Sequence, residues 1–164
     1  MECLQDVRRS VRAMRAATLE ELALEPSLRR LIREFAESTG LSVNVRIELS
    51  QPESLPPELA QAVYRAVQEG LTNVHKHARA SEVDVTLCGS VESVTLEIHD
   101  NGVGTTVTAN GHQPDSSGFG LVGLYERVAL LDGELSFGPS PRGGSCLKLS
   151  LPVRRTPGAS PRST

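Results

Sequence analysis

The sequence predicts an α/β protein, a two-layer sandwich of a mixed five-stranded sheet and three helices, preceded by a short further helix. Two observations carry this. Apolar residues switch between helical and strand periods in the order helix, strand, helix, strand, strand, helix, strand, strand after the first helix. Two pairs of strands are close neighbours in the chain and read as hairpins, which makes the sheet mixed rather than all parallel. With 164 residues and 38% apolar side chains the chain has enough material for one core.

The elements follow in order. Leu4, Val7, Val11 and Met14 form a seam between arginines over residues 2–17, which reads as the tail of a longer helix. Pro26 and Ser27 open a second helix with Leu28, Leu31, Ile32 and Phe35 on one face, closed by Gly40. Val43, Val45, Ile47 and Leu49 then alternate with polar residues, a strand pattern. Gln51 to Pro57, with three prolines, is a loop, and a long amphipathic helix runs from Glu58 to about Ala78. Strands at Glu82–Cys88 and Ser93–His99 are joined by a turn at Gly89 and Ser90. Asp100 to Gly123 holds six of the fourteen glycines and reads mostly as mobile loop. A helix from Leu121 to Leu131 and strands near Glu134–Phe137 and Ser145–Leu151 complete the domain, assigned to residues 19–153. Residues 154–164, with two prolines and three arginines, read as a disordered tail.

Composition narrows the function classes. The net charge is −3 and aromatics are 3% with no Trp, so the basic stripes and stacking platforms of a nucleic-acid binder are missing. No apolar stretch approaches the roughly 20 residues that cross a bilayer, and the arginine-rich start is unlike a signal peptide. The expectation is a cytoplasmic domain. Cys3, Cys88 and Cys146 form no C-x-x-C pair and read as reduced thiols. His75 and His77, two apart on a helix, point about 200° apart and cannot share a metal ion.

Three groups of residues could carry chemistry. Glu69, Asn73, Lys76 and His77, at offsets of 4, 7 and 8, share one side of the long helix, one above another. Such a set is also what a solvated helix face looks like. Asp100-Asn101-Gly102-Val103-Gly104 follows an apolar strand, so that a carboxylate precedes two glycines that let backbone approach a flat ligand. An ordinary Asp-Asn-Gly turn would look the same. Gly118-Phe119-Gly120-Leu121-Val122-Gly123 opens a helix, whose free N–H groups and dipole suit phosphate. Its late position, after a long polar loop, does not suit the dinucleotide-binding fold, which needs the motif after the first strand. No Walker-type phosphate loop and no Gly-x-Ser-x-Gly elbow is present.

In this fixed order, Gln68–Ala78 resembles the N box of sensor histidine kinases, Asp100–Gly104 their first glycine box and Gly118–Gly123 their second. The set resembles the Bergerat-type ATP-binding domain of the gyrase, Hsp90, histidine kinase and MutL superfamily, with the subfamily typified by DesK and NarX as the nearest match. Lys76-His77-Ala78, Glu126-Arg127 and the Gly143-Gly144-Ser145 lead into a strand ending Leu151-Pro152 carry that likeness, while Tyr125 departs from a common Arg and Ser145 from a common Thr.

The resemblance implies ATP and Mg²⁺ as cofactors. It implies Asn73 as a Mg²⁺ ligand, Glu69 as a catalytic residue near the metal or its water, and Lys76 and His77 at phosphate oxygens. Asp100 would accept from the adenine amino group, with Gly102 and Gly104 giving room and Ser145 supporting a bridging water. Gly118, Gly120, Leu121 and Gly123 would border a lid at residues 105–117. Residues 1–18 would be the end of a dimerising, phosphoacceptor hairpin, and the acceptor histidine would lie upstream of Met1. The implied partners are that hairpin domain and a NarL/LuxR-type response regulator, with a homodimeric full-length protein and a monomer for this chain. A serine kinase of the anti-sigma-factor type and a non-catalytic, nucleotide-gated interaction module are the competing expectations.

Overall fold

A computed structural model describes residues 23–51, 55–104 and 118–153. The amino-terminal seam, the 105–117 lid and the 154–164 tail predicted from sequence lie outside the described residues.

The first described helix, α1 (Leu24–Thr39), begins two residues before Pro26, because Leu24 joins Leu28, Leu31 and Ile32 on the buried face. It ends where Gly40 takes a left-handed φ of 73° and its N–H reaches the Ala36 carbonyl, a conformation that costs glycine no Cβ clash. Strand β1 (Ser42–Leu49) leads to α2 (Pro57–Asn73), whose Pro57 occupies the first turn, where a missing N–H costs nothing. Strands β2 (Glu82–Gly89) and β3 (Ser93–Asp100) form the expected hairpin, and α3 (Gly118–Leu130), β4 (Glu134–Pro139) and β5 (Ser145–Pro152) complete the layers.

The sheet order is β1-β2-β3-β5-β4, with β1 parallel to β2 and the other pairs antiparallel. Alternation decides which face is covered. Val83, Val85 and Leu87, then Val94, Leu96 and Ile98, then Leu147, Leu149 and Leu151 are all buried on one side. Helix α2 lies across β3 and β5, flanked by α1 over β1 and by α3 beside β4. Ala62, Ala66 and Gly70 keep α2 low on the sheet, and a Cβ on Gly70 would stand 2.6 Å from the Ile98 side chain.

The opposite face of the sheet is polar. Lys148 Nζ meets Glu97 Oε1 at 2.6 Å, and the hydrogen bond from this ammonium holds the Glu97 carboxyl below the usual range, helped by His99 and opposed by partial burial.

Two further boundaries differ from the sequence expectation. Helix α3 starts at Gly118 rather than Leu121, so the second glycine box is the first turn of the helix and not its approach. The long helix changes at Val74 into a π turn through Ala78, closed by Arg79 at φ 51°. Among the described residues no helix is long and apolar enough to cross a membrane.

Two stability predictions follow from this packing. Leu149→Ala, at a site with 0% exposure, should cost roughly 2–5 kcal/mol, whereas Leu130→Ala at 86% exposure should stay within about 0.5 kcal/mol, both read from urea denaturation. Glu97→Gln should lower the melting temperature at pH 7. Because the folded carboxyl titrates below its unfolded range, that deficit should shrink as pH falls through the folded titration and vanish below it.

Candidate functional site

The site is assembled where β3 ends and β5 begins. His99 pairs with Cys146, which leaves Asp100 opposite Ser145 at the end of the ladder. Asp100 is only 5% exposed, and a carboxylate taken from water this far needs donors. Gly102 N–H donates to its Oδ1 at 2.8 Å, and the Ser145 hydroxyl donates to its Oδ2 in a short hydrogen bond. An ionised carboxylate has about four lone-pair directions, so each oxygen keeps acceptor capacity for a ligand. The Ser145 hydroxyl donates to the carboxylate directly, and its oxygen keeps lone pairs with which to accept from a water.

Glycine is required around this carboxylate for lack of space. A Cβ on Gly102 would collide with the Ala78 carbonyl oxygen, and one on Gly144, at φ 73°, with the Asp100 carbonyl. Gly104, at φ 77°, lies so close to Gly144 that its Cβ would stand 3.1 Å from that carbonyl oxygen. The first glycine box and the segment before β5 therefore pack backbone to backbone.

Asn101, which sequence reasoning passed over as a turn residue, fastens the loop to β2. Its Oδ1 accepts from Ser81 N–H and Glu82 N–H, both at 3.0 Å, and its Nδ2 donates to Ser81 Oγ at 3.0 Å. Its partners lie about 20 residues upstream, so no local signal in the sequence marks it.

The π turn explains itself at the same place. Val103 N–H donates to the Ala78 carbonyl at 2.8 Å, so the end of the long helix must deliver Ala78 to the glycine loop. Widening the last turn achieves this, and such turns recur at functional sites. It also corrects the face expected from α spacing: each residue after Val74 advances by less than an α step, so Lys76 and His77 do not stand where offsets of 7 and 8 would put them. Both are exposed, and Glu69 and Asn73 are half-buried. The His75 ring meets Phe35 edge-on, with centroids 6.1 Å apart.

The second glycine box meets the first group through Gly120, where a Cβ would strike the Glu69 carboxylate. Gly118 begins α3, Leu121 packs against the core, and Gly123 has open space around it. The structure thus joins Glu69 to Gly120 in one contact, and Asp100, Gly102, Gly104 and Ser145 in another, bridged by Ala78 at the end of the turn that carries Lys76 and His77.

For the cofactors the resemblance implies, the donor chemistry fits. Asp100 keeps acceptor capacity for an N–H donor of a base, and Asn73 and Glu69 offer the oxygen atoms a hard cation prefers. Among the described residues no group of three or more His, Cys, Asp or Glu could hold a metal.

Gly102→Ala should lower stability by about 1–3 kcal/mol, because the obstacle is backbone and cannot rotate away. Gly123→Ala, in open space within a helix, should raise it by roughly 0.5–1 kcal/mol; paired thermal melts check both.

Comparison with known proteins agrees with this geometry. Residues 58–155 match the family of histidine kinase-, DNA gyrase B- and HSP90-like ATPases. The signal transduction histidine-protein kinase/phosphatase DegS of Brevibacillus brevis is 35% identical over 92% of this chain and 38% of its own length. The oxygen sensor histidine kinase NreB of Staphylococcus carnosus is 30% identical over 92% of this chain and 42% of its own. The chain therefore spans about two fifths of the length of these relatives. The blue-light activated histidine kinase of Erythrobacter litoralis EL346 shares the fold, with a TM-score of 0.64 and 23% identity over 83% of this chain and 43% of that one. With a family match across most of the described domain and a buried carboxylate ringed by glycines at its centre, the chain belongs to the histidine kinase-, DNA gyrase B- and HSP90-like ATPase family.

Proposed function

We propose that this chain is the ATP-binding catalytic part of a sensor histidine kinase, which hands the γ-phosphate of ATP to a histidine on an upstream helical hairpin. One observation supports the reading above the others: Asp100 is buried, each of its oxygens is held by one donor, and each retains capacity to accept. A carboxylate so fixed suits the exocyclic amine of adenine, an N–H donor, and would repel the carbonyl that replaces it in guanine or hypoxanthine. Gly102, Gly104 and Gly144 let the backbone around the carboxylate close up on itself, which fixes where a base would meet Asp100.

Toward the phosphates, Asn73 would hold Mg²⁺ together with phosphate oxygens, and Glu69, one turn earlier, would act as the catalytic residue near the metal or its water. The ion, when bound, neutralises phosphate charge. Lys76 and His77, exposed on the π turn, would give charge-assisted hydrogen bonds to the same oxygens. Gly118 and Gly120 lie in the first turn of α3, where N–H groups have no partner within the helix and the dipole is positive, while Leu121 and Gly123 set how that helix seats and turns. The lid expected at residues 105–117 lies outside the described residues. Phosphoryl transfer asks chiefly for positioning and charge stabilisation, and these groups supply both. The acceptor histidine belongs to the hairpin of which residues 1–18 are the end. In the whole protein that hairpin would dimerise, a NarL/LuxR-type response regulator would receive the phosphoryl group, and the reaction would take place in the cytoplasm.

Calorimetric titration of ATP into the chain, with and without Mg²⁺, tests the reading. Asp100→Asn should weaken ATP by roughly 10- to 150-fold, the worth of a hydrogen bond to a charged group, and Asn73→Asp should change the Mg²⁺ dependence. Restoring the upstream hairpin should then yield acid-labile phosphohistidine. An absence of heat with both ATP and ADP would overturn the assignment.

A further inference from the structure

On the polar face of the sheet, directly behind the carboxylate, lies a cluster that the nucleotide reading does not use. His99 precedes Asp100 on β3, so its side chain emerges from the opposite face. Its Nδ1 is 3.2 Å from Ser140 Oγ, and its Nε2 is 3.4 Å from both Glu97 Oε2 and Cys146 Sγ. Glu97, held ionised by Lys148, can only accept, so Nε2 is the nitrogen that donates toward it, and Nδ1 faces the Ser140 hydroxyl, which can donate or accept. Burial first, then the charge of Glu97, pushes the Cys146 thiol up. It therefore stays a neutral neighbour and not a nucleophile.

Ser140 is the first residue after β4 and is 9% exposed. Its N–H donates to the Gly144 carbonyl at 3.0 Å, its carbonyl accepts from Gly143 N–H at 3.1 Å, and its hydroxyl accepts from Arg142 N–H at 3.2 Å. These bonds hold two consecutive glycines at φ 88° and 73°, conformations the chain leaves readily without restraint. Gly144 is the residue pressed on Asp100 and Gly104, and Ser145 follows it. β3 therefore grips the start of β5 from both faces, with Asp100 bonded to Ser145 on one and His99 to Ser140 on the other.

We infer that His99, acting through Ser140, is a positioning residue for base recognition: it fixes the Gly143–Gly144–Ser145 backbone so that Asp100 keeps the orientation that selects an amino-bearing purine. The inference rests on the assignment of Asp100 as the adenine acceptor. The structure supplies a way to separate the two nitrogens of His99, because an Asn side chain reaches about as far as Nδ1 and a Gln side chain about as far as Nε2. His99→Asn should keep the bond to Ser140, and His99→Gln should lose it.

The test is titration of ATP and of inosine triphosphate, which lacks the 6-amino group, into the full chain and its variants. Ser140→Ala and His99→Gln should each weaken ATP about three- to tenfold, the worth of one neutral hydrogen bond, with inosine triphosphate unmoved; His99→Asn should restore the preference. Equal losses for both nucleotides, or an unchanged preference in Ser140→Ala and His99→Gln, would overturn the inference while leaving the adenine assignment intact. A wild-type chain that binds both nucleotides equally, with Asp100→Asn silent, would instead overturn that assignment and the inference with it. Should His99→Gln unfold, Ser140→Ala, which removes a single oxygen, decides the matter alone.

Discussion

A buried carboxylate is the constraint around which this domain is arranged. Asp100 has left water at the end of a strand whose other buried positions are apolar, and its two oxygens are stabilised only if Gly102 and Ser145 arrive from different parts of the chain. Gly102 can arrive because it has no side chain to meet Ala78, and Ser145 because Gly144 has none to meet the Asp100 carbonyl. The ladder between β3 and β5 brings the two strand ends together, and the apolar rows Val94–Leu96–Ile98 and Leu147–Leu149–Leu151 beneath α2 keep that ladder in register. A slip of one residue would turn those rows to solvent. The core thus specifies the site's geometry.

Most of the fold was legible because its signals are local. Alternation in β2, β3 and β5, the prolines before α2 and the glycine after α1 each act through neighbouring residues, and the structure follows them to within a few positions. The π turn at Val74–Ala78 was not legible, since nothing between Val74 and Ala78 departs from a helical pattern; it exists because Ala78 has a distant partner in Val103. The early start of α3 has a related cause. Glycine is a poor helix former, so propensity argues for a start at Leu121, but Gly120 is the residue that can lie against Glu69.

The candidate site divides in the same way. Asp100, Gly102, Gly104 and Ser145 could be chosen from motif order, and the structure gathers them. Asn101, His99 and Ser140 could not be chosen so, because their importance lies in hydrogen bonds to residues about 20 and 41 positions away. A sequence motif marks residues that meet a common ligand far better than residues that merely hold others in place.

The strand order has a consequence for how the protein is made. β2 with β3, and β4 with β5, are hairpin neighbours, but the β3–β5 seam joins segments separated by all of α3 and β4. Contacts between distant segments bear a larger loop-closure entropy and form later than hairpins. Asp100 and Ser145 sit on that seam, so the carboxylate site is complete only when the two hairpins have been joined across it. Nucleotide can therefore bind only to a domain whose sheet is already complete, and its binding stabilises the finished fold without guiding the chain toward it.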